Sequence, residues 1–259
     1  MDATTKSRAR DIRDSLGHPV IDGDGHVLEP GMVLLDYIKQ IAGPDFAEAF
    51  TDRIKPFQNS GMKQIFWGQP SGPHTLDRAT AILPNLYAER LADAGIDFGV
   101  VYGTLALSVM RIDDDELRPV VYRAMNMLYA DMFREVSDRL TPAALIPMTK
   151  PDEAVAELEF AVNELGLKAI VMNTMLYSPP EQIAKEAPHL SHLAMVMHTP
   201  ALDQGDAYDP VWAKCVELGV APSCHNAFRG PGTTHNSSKN YCFNSLNSFG
   251  HGSEYFCRA

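Results

Sequence analysis

The stretch LADAGIDFGVVYGT, residues 91–104, decides the fold of this chain of 259 amino acids. Its helix-forming part runs into a glycine, and a short strand-like run follows at once. Two later stretches repeat this order, ELGLKAIVMNT at 164–174 and ELGVAPSCHN at 217–226. Because glycine takes the left-handed conformation at no steric cost, we expect each of these glycines to end a helix with a positive φ. They are Gly95, Gly166 and Gly219.

The rest of the chain continues the alternation of helix and strand. A long helical pattern over about 115–138 precedes the apolar run LTPAALIPM at 140–148. Two later helices begin at Pro151 and at Asp209-Pro210, because proline and acidic residues suit the first turn of a helix. The segments predicted to be strands, adjacent and parallel in this order, are 19–24, 97–103, 142–147, 167–172 and 219–225.

Strands of apolar residues that alternate with helices of about ten or more residues predict a parallel α/β sheet with right-handed crossovers. Either a β/α barrel or an open, doubly wound sheet has this pattern. The sequence contains no GxGxxG or GxxxxGK[ST] motif after the first strand, so the nucleotide-binding forms of the open sheet lose their main support. We therefore predict a (β/α)8 TIM-barrel type of fold, with about five of its βα units present.

The domain boundaries follow from where this alternation begins. Residues 1–18 are predicted to be an N-terminal leader, and residues 19–259 a single barrel domain. Between residues 30 and 77 the chain is rich in glycine, proline and aromatic residues. We expect this segment to be an irregular loop insertion after the first strand, of the kind that covers a site.

Composition restricts the class of protein. The net charge is −11 and no run of Lys and Arg stands out, so we expect no nucleic-acid partner. The chain lacks a signal-peptide pattern at its start and an apolar run of about 18 residues anywhere, so we predict a cytoplasmic protein with no membrane partner. The four cysteines are too widely spaced for a CxxC metal site and are expected to be reduced.

The chemistry begins at the end of the first predicted strand. Asp24 and His26 are two positions apart, so on a strand they project to the same face, where a carboxylate and an imidazole can share one cation. Taken alone, an Asp-x-His pair is more often a turn or a hydrogen-bonded pair. His225 ends the fifth predicted strand, and barrel enzymes carry their active sites at these carboxyl ends. The predicted metal ligands are therefore Asp24, His26 and His225.

Three longer segments carry a family resemblance, DGDGHVLEP at 22–30, DRLTPAALIPMTKPDEAVAELEFAV at 138–162 and DPVWAKCVELGVAPSCHNA at 209–227. They resemble the amidohydrolase-related metal enzymes (amidohydrolase family 2), in the branch that contains aminocarboxymuconate-semialdehyde decarboxylase and related aromatic-acid decarboxylases. The resemblance implies a distorted (β/α)8 barrel with one divalent metal ion, Zn²⁺ or Mn²⁺. It also implies decarboxylation or hydrolysis of a small carboxylated or cyclic substrate.

The chain also departs from the family pattern. The family's sixth-strand His and the Asp after its eighth strand have no counterpart in residues 226–259, so we expect an incomplete barrel. A fragment, a shortened gene product and a decayed paralogue are equally open. The alternative function is accordingly a noncatalytic barrel fragment or pseudoenzyme that binds metal weakly or self-associates as a homo-oligomer.

Two further kinds of residue are weaker candidates for the site. His251 is the candidate catalytic residue, with His235 beside it in the loop region after the fifth strand. Glu29 follows His26 by three positions and either orients a ligand through a hydrogen bond or caps the segment that follows it.

Overall fold

The computed structural model describes residues 7–59, 72, 75–112, 114–173, 176–194, 196–200 and 203–225. The strands are β1 (Ile21–Val27), β2 (Phe98–Gly103), β3 (Leu140–Ile146), β4 (Ala169–Met172), β5 (Leu176–Ser178), β6 (Val196–His198) and β7 (Pro222–Cys224). The α-helices are α1 (Arg8–Asp14), α2 (Gly31–Ala42), α3 (Pro44–Asn59), α4 (Thr75–Ile82), α5 (Pro84–Leu91), α6 (Thr104–Val109), α7 (Leu117–Phe133), α8 (Pro151–Glu159), α9 (Glu181–Glu186) and α10 (Asp209–Leu218).

Five strands form one parallel sheet in the order β1-β2-β3-β4-β7. The prediction of five adjacent parallel strands is therefore confirmed, although their ends differ from the predicted ones by up to three residues. The order never reverses, as it would at the switch point of a doubly wound sheet. The sheet is the curled half of a TIM-type barrel. Strands β5 and β6 form a separate antiparallel pair, which lies in the chain connection from β4 to β7.

The three glycine turns have the predicted conformation. Gly95, Gly166 and Gly219 have φ values of 73°, 71° and 65°. Each ends a helical segment, and the chain then enters β2, β4 or β7 within a few residues. Left-handed residues that end helices are usually glycine, because any other side chain is strained there. The glycines that located these strands in the sequence therefore do end helices in the structure.

The segment predicted to be an irregular insertion is largely helical where the structure describes it, and this correction applies to residues 31–59. Leu34 and Ile38 lie four positions apart in α2 and are fully buried, as one face of an amphipathic helix requires. A glycine and a proline lie at the joint between the two helices, where Gly43 has φ 90° and Pro44 begins α3. Residues 60–71, in the middle of the predicted insertion, lie outside the described residues.

The predicted leader is also partly helical and packs on the barrel. Ser7 accepts a hydrogen bond from the Arg10 backbone N–H at the start of α1, and its own hydroxyl donates to the Asp93 carbonyl at 2.5 Å. Arg13 pairs with Asp97 just before β2. Residues 8–14 are therefore attached to the barrel near the amino-terminal ends of β1 and β2.

The carboxyl end of β3 is hydrogen-bonded to the buried side-chain amide of Asn126. β2 pairs with β3 only between Gly99 and Val101, so the two strands separate after Val101. Asn126 of α7 is fully buried; its side chain donates to the Leu145 carbonyl at 2.9 Å and accepts from the Leu145 N–H at 2.8 Å. This pair replaces the missing ladder contacts of β3. Within the described residues, no helix is long and apolar enough to span a membrane.

Candidate metal centre

The end of β1 is irregular at the point where it carries the first candidate ligand. The register against β2 shifts between Asp22 and Gly25, so strict alternation of side chains is interrupted there. The backbone N–H of Asp24 donates to the Asp22 carboxylate at 3.0 Å, and the Asp24 side chain is 53% exposed. Asp24 therefore lies within this irregularity and is the most exposed of the three candidate ligands, whereas His26 continues the regular ladder with β2.

The three predicted ligands converge. The Nε2 atoms of His26 and His225 lie 3.3 Å apart, although the residues are 199 positions apart in sequence. The Oδ1 atom of Asp24 lies 3.6 Å from Nε2 of His26 and 3.4 Å from Nε2 of His225. Among the described residues these three side chains form a group that could hold a metal ion. The curl of the sheet brings its two edge strands together at this end.

The spacing of these atoms fits one ion. The centre of a triangle with sides of 3.3, 3.4 and 3.6 Å is about 2 Å from each corner, close to the bond length of about 2.0–2.2 Å that Zn²⁺ makes to His nitrogen or carboxylate oxygen. Imidazole and carboxylate donors together suit Zn²⁺ and Mn²⁺. The residues present therefore fit a divalent metal ion.

The local electrostatics also favour ligation. Burial lowers the pKa of His26, and the charges of Asp24 and Asp22 oppose that effect. His26 is thereby favoured in its neutral form, which is the form that binds a metal. The side chains of His26 and His225 are 19% and 11% exposed, so the imidazoles form the inner wall and Asp24 the solvent side.

Comparison with known proteins identifies the family. A model of the amidohydrolase family matches residues 24–243, a span that includes all three candidate ligands. The chain belongs to the amidohydrolase family. Among curated proteins, none matches this chain in sequence.

Several solved structures share its fold. One is 5-carboxyvanillate decarboxylase from Novosphingobium aromaticivorans, complexed with manganese and 4-hydroxy-3-methoxy-5-nitrobenzoic acid, with TM-score 0.57, 17% identity, and 91% of this chain and 59% of that one covered. The Sphingomonas paucimobilis 5-carboxyvanillate decarboxylase has TM-score 0.57 and 16% identity, and the match covers 93% of this chain and 62% of that one. The Rhizobium 2,6-dihydroxybenzoate decarboxylase has TM-score 0.52 and 17% identity, and the match covers 86% of this chain and 53% of that one.

These similarities concern the fold, because the identities are low. The chain spans between 53% and 62% of the length of these three decarboxylases. The TIM-barrel type of fold and the family predicted from the sequence are confirmed.

Tyr102 was not predicted as a site residue, yet it lies beside the candidate ligands. Tyr102 is the ladder partner of His26, and its ring centroid lies 6.3 Å from that of His26 and 5.2 Å from that of His225. It carries no ligand atom of the usual kind, so a search for metal-binding residue types passes over it. The available signal was its place at the end of β2, beside the end of β1.

Glu29 caps a helix, but a different one from the segment expected. Its carboxylate accepts hydrogen bonds from the N–H groups of Leu105 and Ala106 at 2.8 and 2.9 Å, in the first turn of α6. The Tyr129 hydroxyl donates to the same carboxylate at 2.7 Å. Burial raises the pKa of Glu29, and these three donors oppose the rise. The loop after β1 is thereby tied to the loop after β2.

Two other predicted residues are not placed. His251, the candidate catalytic residue, and His235 lie outside the described residues. The role of His251 stays a prediction.

Proposed function

We propose that this chain carries the metal centre of a divalent-metal-dependent enzyme that acts on a small carboxylated or cyclic substrate, with decarboxylation favoured over hydrolysis. Asp24, His26 and His225 are the proposed ligands of one Zn²⁺ or Mn²⁺ ion. The observation that carries the proposal is their convergence from the two edge strands of the sheet, at distances that suit one ion.

Decarboxylation is favoured by the comparisons. The similar structures are decarboxylases of aromatic acids, and the one from Novosphingobium aromaticivorans is complexed with manganese and a nitrobenzoic acid. A carboxylate ligand such as Asp24 is harder than an imidazole, which favours Mn²⁺ more than an all-histidine site would. The substrate class proposed for this chain is therefore a small aromatic carboxylate.

The ion's contribution when bound is to polarise an oxygen of the substrate, which stabilises negative charge that develops in the reaction. The residues of this chain supply the rest of the site. His26 and His225 form a sparsely exposed wall, and Asp24 is the exposed member of the three, so the side of Asp24 is the proposed side of substrate entry. In decarboxylation the bond between the ring and the carboxylate carbon breaks, CO₂ leaves and a proton is added to the ring carbon. We propose His251 as the catalytic residue of this site.

The test is an assay of product formation. The chain, loaded with Mn²⁺ or with Zn²⁺, is incubated with 2,6-dihydroxybenzoate and with 5-carboxyvanillate, and released CO₂ is measured. Asp24→Ala and His225→Ala should each abolish CO₂ release while the fold is kept, because residues at the ends of strands contribute more to function than to the core. The matched controls Asp36→Ala and His18→Ala change exposed side chains elsewhere and should retain activity.

Hydrolysis is the runner-up and is measured in the same preparation. Turnover of a cyclic amide or ester without CO₂ release, lost in the same two variants, would favour hydrolysis over decarboxylation. CO₂ release that survives Asp24→Ala and His225→Ala would contradict the proposed centre.

A further inference from the structure

We propose that Tyr102 is a positioning residue of the metal centre, whose ring holds the two imidazoles in the orientation that lets their Nε2 atoms converge. This inference rests on the proposed function, because it concerns the same three ligands. It adds a fourth residue, from β2, to a centre whose other members come from β1 and from the position directly after β7.

The sheet determines where Tyr102 lies. His26 and Tyr102 are direct partners in the parallel ladder between β1 and β2, and partners in such a ladder point to the same face of the sheet. Tyr102 is 7% exposed. Its ring is therefore buried on the face that carries the candidate ligands.

The three rings form one cluster. The Tyr102 ring lies 5.2 Å from the His225 ring at an interplanar angle of 39°, and 6.3 Å from the His26 ring at 44°. The two imidazoles lie 5.0 Å apart at 78°, edge to face. Ring centroids separated by about 4.5–7 Å in tilted or edge-to-face arrangements are the favourable range for aromatic pairs. Each ring of the cluster thus contacts the other two.

This contact has a consequence for metal binding. His26 lies in one edge strand, β1, and His225 directly follows the other, β7, so no ladder hydrogen bond joins their backbones. Each imidazole rotates about two side-chain bonds, and a shift of either ring moves Nε2 out of the spacing that fits one ion. A buried ring in contact with both limits these rotations before the ion arrives, which lowers the ordering cost of binding. The ring of Tyr102 serves this role, and its hydroxyl is not needed for it.

The experiment compares metal affinity across three variants of the 259-residue chain. Mn²⁺ and Zn²⁺ affinities are measured by titration calorimetry for wild type, Tyr102→Phe, Tyr102→Leu and Phe133→Leu. Phe133 is a buried aromatic residue at the far end of α7, so Phe133→Leu is matched for the loss of a core ring but leaves the site intact. Unfolding by denaturant is recorded for each variant, so that a loss of fold is seen separately.

Tyr102→Leu should weaken metal binding by about tenfold or more, as expected for residues that orient metal ligands. Tyr102→Phe and Phe133→Leu should bind metal like wild type. Equal affinity for wild type and Tyr102→Leu would overturn the inference and leave the proposed function standing. Equal weakening by Phe133→Leu would overturn it as well, since the effect would then come from general loss of packing.

A second measurement tests the ring contact without any metal. In the metal-free protein, NMR should show cross-relaxation between the ring protons of Tyr102 and those of His225. The absence of this contact in a folded sample would overturn the inference. Absence of metal binding to wild type, with the contact present, would instead overturn the proposed function on which it rests.

Discussion

Glu29 places its carboxylate in the space that a side chain at Gly103 would occupy. A Cβ atom built at Gly103 would overlap the Glu29 carboxylate and the Tyr129 hydroxyl, which are hydrogen-bonded to each other. The backbone φ at Gly103 is −85°, so glycine is needed for this close approach rather than for its conformation. The contact joins the loop after β1 to the end of β2.

The first prediction concerns this contact. Gly103→Ala should destabilise the protein by about 1–3 kcal/mol, the usual cost of overpacking a buried site or of leaving a buried polar group unpaired. Denaturant unfolding measures it. The control is Gly31→Ala, where a Cβ would lie 3.6 Å from the Leu105 side chain in ordinary contact. A Gly103→Ala variant as stable as wild type would contradict the overlap.

The second prediction concerns the helix-ending glycines. Gly166→Val and Gly219→Val should each lower the free energy of unfolding by more than about 1 kcal/mol, because a β-branched residue is strained at positive φ. A Cβ at either position would meet no atom within 4 Å, so the cost comes from the backbone alone. Gly17→Val, equally open but without a positive φ, should be nearly neutral. Similar losses at all three positions would contradict the conformational argument.

The third prediction concerns acid stability. The Arg13 guanidinium and the Val20 N–H hold the pKa of Asp97 at about 2, below its usual 3.8. Because the folded-state pKa is depressed, the stabilisation is present above pH 3.8 and is lost as pH falls towards 2. Asp97→Asn should therefore be less stable than wild type at pH 5, and the two should converge near pH 2. Thermal unfolding across this range measures it, and a constant difference would refute the assignment.

Features with a local sequence signal could be predicted. Gly95 ends a helix just before β2 because of its local conformation alone. Three such glycines therefore located β2, β4 and β7 in the sequence. Asp24, His26 and His225 were found because their residue types bind metals and end strands. The convergence of the three then required only that the sheet curl.

Features created by tertiary contact could not be predicted. Tyr102 belongs to the candidate site because of its ladder partner and the curl that brings β7 near, and neither has a signature in the residue type. Glu29 meets the start of α6 across a separation of 76 residues. The helix α2 was mistaken for a loop because the prediction rested on the glycine, proline and aromatic content of the whole 30–77 segment and not on the spacing of Leu34 and Ile38.

Asp24, His26 and His225 are proposed to bind one metal ion, and metal titration tests this most directly. Mn²⁺ and Zn²⁺ are titrated into the metal-free chain, and bound metal is counted by elemental analysis, for wild type, Asp24→Ala, His225→Ala and the exposed-histidine control His18→Ala. We predict one ion per chain in wild type and in His18→Ala. Each ligand variant should bind at least about 100-fold more weakly, since even residues that only orient ligands contribute about 10–100-fold. Wild-type affinity in Asp24→Ala and His225→Ala, or no bound metal in wild type, would contradict it.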